Sequence, residues 1–149
     1  MITTKKGDKG QTNCGEKIVD KDNLVVEVVG SVDELQSVLE LAGGEVEIVD
    51  DLSQIMGVIG CGSKVDILKK VWRLEKEMER MEEELPKLEK FLRFKSKKAL
   101  ELNWARTVTR RVERRIVSLN KMEKLDPEIL IYFNRLSDYL FLKARKKDK

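Results

Sequence analysis

Apolar residues recur along most of this chain with a helical period. Leu74, Met78, Met81 and Leu85 advance by fours and threes, which stacks them on one face of a helix. Ile129, Phe133, Leu136 and Leu140 do the same near the C-terminus. Punctuation between such stretches marks five helices. "SVDELQSVLELAGG" begins with Ser31 as N-cap, has Glu34 three residues on to complete a capping box, and stops at Gly43–Gly44. A second helix is expected from about Val46 to Ile59, ending at "GCG", and a third over about Lys64 to Leu85, where Pro86 breaks it. A fourth covers about Lys98 to Asn120. The fifth opens with Asp126 as N-cap and Pro127 in its first turn, and its basic tail is expected to fray. "NLVVEVVG", ahead of the first helix, reads as a short strand, and residues 1–15 as a loop or arm. Five helices with short connections predict an all-α, five-helix bundle in a single domain, 1–149.

Composition narrows the chemistry. The 149 residues hold no histidine, which removes imidazole acid–base catalysis and histidine-ligated metals. Cys14 and Cys61 are too few for a disulfide framework or a zinc site, and no residue is assigned as a metal ligand. No run approaches a membrane span and the N-terminus lacks a leader pattern, so a cytoplasmic protein without membrane partners is expected. Net charge is only +3, but eight basic residues against two acidic ones fall between Lys97 and Lys121. That concentration points to an anionic partner.

Five arginines stand in ten residues, Arg106, Arg110, Arg111, Arg114 and Arg115, on a helix whose core side is Ala105, Val108, Val112, Ile116 and Leu119. At about 100° per residue, Arg106, Arg110 and Glu113 share a different side, with Arg114 beside them and Arg111 and Arg115 further round. Guanidinium forks suit phosphate oxygens, while a solvated face or interhelix salt bridges would use the same residues. The N-terminal "KKGDKGQT" adds glycines that admit an anion to the backbone, lysines, and an Asp and a Thr able to hold hydrated magnesium. It is not a Walker A loop. Asn134 lies on a second face of the last helix with Leu130, Ser137 and Phe141, and its amide needs hydrogen-bond partners.

Four motifs in order, "TKKGDKGQT", "GSVDELQS", "ARTVTRRVERR" and "NRLSDYLF", resemble the PduO-type ATP:cob(I)alamin adenosyltransferases. The resemblance implies a ferritin-like, cobalamin adenosyltransferase-like bundle with an N-terminal nucleotide-binding loop. It implies a homotrimer with sites between subunits, and ATP, Mg²⁺ and cob(I)alamin as the bound species. By the same likeness Thr4, Lys5, Lys6, Gly7, Asp8, Lys9, Gly10, Gln11, Thr12 and Lys21 contact the nucleotide. Arg110, Arg111, Glu113, Arg114 and Asn134 complete that site. Arg106 pairs with Asp33 near the corrinoid, and Phe91 lies against the corrin. A reductase or a B12-dependent acceptor enzyme is the implied protein partner. The activity implied is transfer of the 5′-deoxyadenosyl group of ATP to Co(I), with release of triphosphate. Two other readings use the same residues: a relative that binds ATP but has lost or altered the corrinoid activity, and a basic helical nucleic-acid binder. Focused basic groups and an aromatic content of 5% disfavour nucleic acid.

Overall fold

The Asn23 side chain accepts a hydrogen bond from the Val25 amide, and the first helix starts there rather than at Ser31. The computed structural model describes residues 3–89 and 92–148. Two short strands, β1 (Gln11–Cys14) and β2 (Lys17–Asp20), precede five helices: α1 (Leu24–Leu41), α2 (Val46–Cys61), α3 (Ile67–Glu84), α4 (Lys97–Met122) and α5 (Pro127–Lys147).

The stretch read as a strand is therefore the first two turns of α1. Its β-branched valines favour a strand locally, but Val25, Val28 and Val32 continue the helical stripe of Leu35 and Leu39, and all are buried. Ser31 is an interior residue whose hydroxyl donates to the Glu27 carbonyl at 2.6 Å. The expected glycine stop holds: Gly43 and Gly44 take φ of 86° and 65°, and the Gly44 amide closes on the Leu39 carbonyl. The part of the arm beyond Gly10 is ordered as an antiparallel hairpin, with Gln11 opposite Asp20 and Cys14 opposite Lys17.

The core runs continuously through the bundle. Helix α4 is its axis, burying Ala105, Val108, Val112, Ile116 and Leu119 as the wheel predicted. It packs between α1 and α5, while α2 lies against α1 and α3 against α5. One buried polar knot joins α2, α3 and α5. Asp51 is 2% exposed and accepts from Lys70 Nζ at 2.8 Å, from Arg73 Nη2, and from the Tyr132 hydroxyl at 3.0 Å. Burial, reinforced by the Asp51 carboxylate, pushes the Tyr132 hydroxyl well above its usual pKa, which keeps it a donor.

Helix α5 does not fray where the tail was expected to. The Asp148 carboxylate receives the Lys95 and Ser96 amides, each at 2.8 Å, tying the end of α5 to the start of α4. Those two backbone bonds hold its pKa below the ordinary carboxylate value.

Candidate functional site

The five arginines of α4 divide by the helix they face. Arg111 Nη2 meets Glu34 Oε1 of α1 at 2.5 Å, and Arg115 Nη2 meets Glu27 Oε1 at 2.7 Å, with a further bond from Arg115 to the Ser31 hydroxyl. These two guanidinium groups join α1 to α4. The Arg111 Nε is left buried without a partner.

Arg106, Arg110 and Arg114 make no ion pair among the described residues, and neither does Glu113, which shares their side of the helix. Arg106 Nε donates to Asn103 Oδ1 at 2.9 Å, one turn earlier. Burial lowers the Arg106 pKa, the like charge of Arg110 lowers it further, and Asp138 on α5 opposes both. Helices α4 and α5 run antiparallel, with Ser96 beside Asp148 and Arg106 near Asp138. The same offset sets Asn134 alongside Arg110. Asn134 is exposed and its amide is free of hydrogen bonds to the described residues; the structure supplies none of the partners the sequence argument asked for. The polar strip is thus Arg106, Arg110 and Arg114 on one helix and Asn134 and Asp138 on the other.

At Arg106 the strip meets an apolar cavity of about 750 Å³. Leu88, Leu92, Phe94, Leu100 and Phe141 line it, and Glu89, Arg93, Asn103 and Arg106 are its polar groups. Phe91, expected against the corrin, lies outside the described residues. Sequence reasoning missed Asn103, Asp138 and this lining. Two carried detectable signals: Asn103 sits three residues before Arg106, and Asp138 four after Asn134, the spacings that share a helix face.

The N-terminal residues form a second centre. The Asp8 amide turns back to the Lys5 carbonyl at 3.3 Å, Gly10 to Gly7 at 3.2 Å, and the Lys21 amide bonds to Gly10 at 2.8 Å. Lys5 adopts φ of 59°, and Gly10 of 80°. The Lys21 ammonium lies over Gly7, so a Cβ placed there would stand 3.0 Å from Nζ. Gln11 Nε2 donates to Asp20 Oδ1 at 3.3 Å across the hairpin. A curled backbone, an ammonium group and exposed lysines can cradle a polyanion. Among the described residues no group of three Asp, Glu, Cys or His side chains could hold a metal.

The chain does not itself join these centres. The Asp33 side chain is exposed on α1, and among the described residues it makes no ion pair or hydrogen bond with Arg106. Arg111 and Arg115 face α1, whereas Arg106 faces α5, so the expected pair is split across α4. The hairpin leads into α1 and rests on the end of α2, where Cys14 Sγ donates to the Gly60 carbonyl at 3.4 Å.

The structure is thus a helical bundle with a lysine- and glycine-rich loop at one edge and a guanidinium strip beside an apolar cavity at another, features suited to one anionic and one large apolar ligand. The family model described as "Cobalamin adenosyltransferase" matches residues 2–147. The chain is 39% identical over 163 residues to a corrinoid adenosyltransferase of Bacillus subtilis, covering 97% of this chain and 84% of that one. It is 34% identical over 169 residues to the human corrinoid adenosyltransferase, covering 97% and 67%. The fold matches a PduO-type ATP:corrinoid adenosyltransferase from Lactobacillus reuteri at a TM-score of 0.83 with 32% identity, covering 99% and 94%, in a variant complexed with ATP. A second variant of that protein, complexed with cobalamin and ATP, gives the same TM-score at 31% identity, covering 99% and 91%. This chain belongs to the cobalamin adenosyltransferase family.

Proposed function

We infer that the protein catalyses transfer of the 5′-deoxyadenosyl group of ATP to the Co(I) of a corrinoid, releasing triphosphate. The observation that carries the reading is the unpaired guanidinium strip ending at an apolar cavity. Co(I) is itself the nucleophile, so the reaction asks the protein for no base. What it asks for is alignment of two large substrates, exclusion of water, and neutralisation of a polyanionic leaving group.

The residues divide these tasks. The loop Thr4–Thr12 and Lys21 hold the triphosphate by backbone amides and ammonium groups. Arg110, Arg114 and Asn134 face the nucleotide from α4 and α5, with Glu113 nearby on the same side of α4. Arg111 contributes from α4 through the donor that its ion pair with Glu34 of α1 leaves free. The apolar cavity takes the corrin face, and the resemblance adds Phe91, next in sequence to the lining residue Leu92, as a corrin contact. Magnesium would enter with the triphosphate, bound chiefly by its oxygens, with Asp8 and Thr12 in reach of its water shell. The residues fit that arrangement better than a resident ion.

Because one chain separates its cradle from its guanidinium strip, we place the complete site between subunits of a homotrimer. The cradle and Asp33 of one copy then meet Arg106, Arg110 and Asn134 of the next. The exposed Leu100 and Trp104 on α4 supply apolar area for such contact. We read the whole chain as one domain working in the cytoplasm beside the enzyme that reduces its cobalt.

The test mixes protein, magnesium–ATP and chemically reduced cobalamin and follows the visible spectrum. Formation of the light-sensitive adenosyl product in step with triphosphate release is expected. ATP binding without turnover would refute the activity.

A further inference from the structure

Two thiols that the transfer reaction does not use meet at one point in the fold. Cys14 ends β1 at the tip of the hairpin, and Cys61 is the last residue of α2. They are the only cysteines in the chain. Cys14 Sγ lies 3.4 Å from the carbonyl oxygen of Gly60, the residue bonded to Cys61. Gly15, next to Cys14, turns the hairpin with φ of 58°. A Cβ built on Gly15 would lie 3.6 Å from the Cys61 Cα and 3.9 Å from its Sγ. The Cys14 thiol thus sits against the backbone next to Cys61, and Cys61 faces the side of Gly15 from which a side chain would project. Disulfides span Cα separations of about 4.4–6.8 Å, so a bond between these facing segments requires the two side chains to rotate toward each other and the hairpin to adjust. Cys61 is exposed, Cys14 is half-buried, and both border an open groove of about 640 Å³.

We propose that Cys14 and Cys61 form a reversible dithiol–disulfide pair that clamps the hairpin tip to the end of α2. The oxidant is a small-molecule disulfide. The exposed Cys61 thiolate attacks one of its sulfurs, forming a mixed disulfide and releasing one thiol. Cys14 then attacks the Cys61 sulfur, forming the internal bond and releasing the second thiol. The two protons lost by the cysteines leave on those thiols, and the small disulfide is reduced as the protein dithiol is oxidised.

The hairpin carries Gly7, Gly10 and Lys21 at the end opposite its clamped tip. Fastening the tip removes freedom that the cradle would otherwise lose on closing around a polyanion, so the oxidised form binds magnesium–ATP more tightly. This consequence rests on the nucleotide reading above, whereas the cross-link does not.

The full-length protein is incubated with oxidised glutathione and its intact mass measured. Loss of two hydrogens, no adduct and no cross-linked dimer is expected, reversed by dithiothreitol. Cys14→Ser should instead keep one glutathione on Cys61. Two adducts on the native protein, dimers, or persistent free thiols would overturn the pair. Hydrogen exchange then reads the clamp itself: amides of residues 11–20 should exchange more slowly after oxidation, with or without ATP. Unchanged exchange in the oxidised protein would overturn the clamp. Calorimetry with magnesium–ATP on both forms separates this result from the nucleotide reading, which alone fails if neither form binds.

Discussion

Adding one methyl group to Gly7 tests the cradle with little disturbance of the fold. The Gly7 backbone lies outside the left-handed region, so alanine is not strained there. Its Cβ would stand 3.0 Å from Lys21 Nζ, 3.3 Å from Lys21 Cε and 3.6 Å from the Gln11 carbonyl. The close atoms are the far end of a flexible side chain, which can swing away. The stability cost should stay within about 0.5 kcal/mol, as for other surface changes. Bound nucleotide raises the stakes, because the displaced ammonium is the group placed over the loop. A hydrogen bond to a charged group is worth about 1.5–3 kcal/mol, and every 1.4 kcal/mol is tenfold in Kd. Gly7→Ala should therefore weaken magnesium–ATP binding by about tenfold or more in calorimetry, with an unchanged melting curve. In a Lys21→Ala background the same methyl should cost almost nothing, since the two changes remove one interaction. Additive losses, or an unchanged Kd for Gly7→Ala alone, would refute the placement of Lys21 over the triphosphate.

Arg110→Ala should abolish adenosyl transfer without lowering thermal stability, because Arg110 has no ion pair among the described residues to lose; an unchanged kcat/KM would remove it from the site. Asp33→Asn and Arg106→Ala should each reduce turnover, and the double variant should lose little more than either single one. Fully additive losses would show that the two do not meet across a subunit boundary. Asp51→Ala should destabilise the bundle by about 3–5 kcal/mol in denaturant unfolding, since Lys70 and Tyr132 lose a buried carboxylate partner. A change below about 1 kcal/mol would show that the α2–α3–α5 knot is incidental.

The helical stripes were legible because burial obeys the helix period. Every residue of the fifth helix's predicted stripe, from Ile129 to Leu140, is fully buried. The start of α1 was not legible, since "LVVEVV" suits a strand locally and only packing against α4 decides for helix. The hairpin escaped for a related reason. Its strands are four residues each and mostly exposed, with Ile18 at 70%, so no alternation of apolar positions announced them. The wheel did separate Arg111 and Arg115 from Arg106 and Arg110. It could not say that glutamates of α1 waited for the first two, because that depends on which helix lies alongside. The apolar cavity was equally invisible: Leu88, Leu100 and Phe141 come from three separate segments.

The division of the arginines bears directly on why this helix carries so many. Arg111 and Arg115 are offset by Glu34 and Glu27, so their charge is accounted for inside the bundle. Arg106 and Arg110 are not: burial and the neighbouring Arg110 charge disfavour the charged form of Arg106, and Asp138 relieves it only in part. A helix selected for stability alone would place a carboxylate between them, and Asn134 is the neutral residue that the α4–α5 register sets there instead. Like charges left uncompensated at one spot cost the free protein some stability and return it when an anion arrives. On the proposed reading the triphosphate of ATP is that anion, and its negative charge grows as the bond to the 5′ carbon breaks. Guanidinium groups held in place by α4 need not reorganise as that charge develops. On the proposed reading, the uncompensated charge of the strip becomes stabilisation that strengthens toward the transition state, a gain that needs no proton transfer.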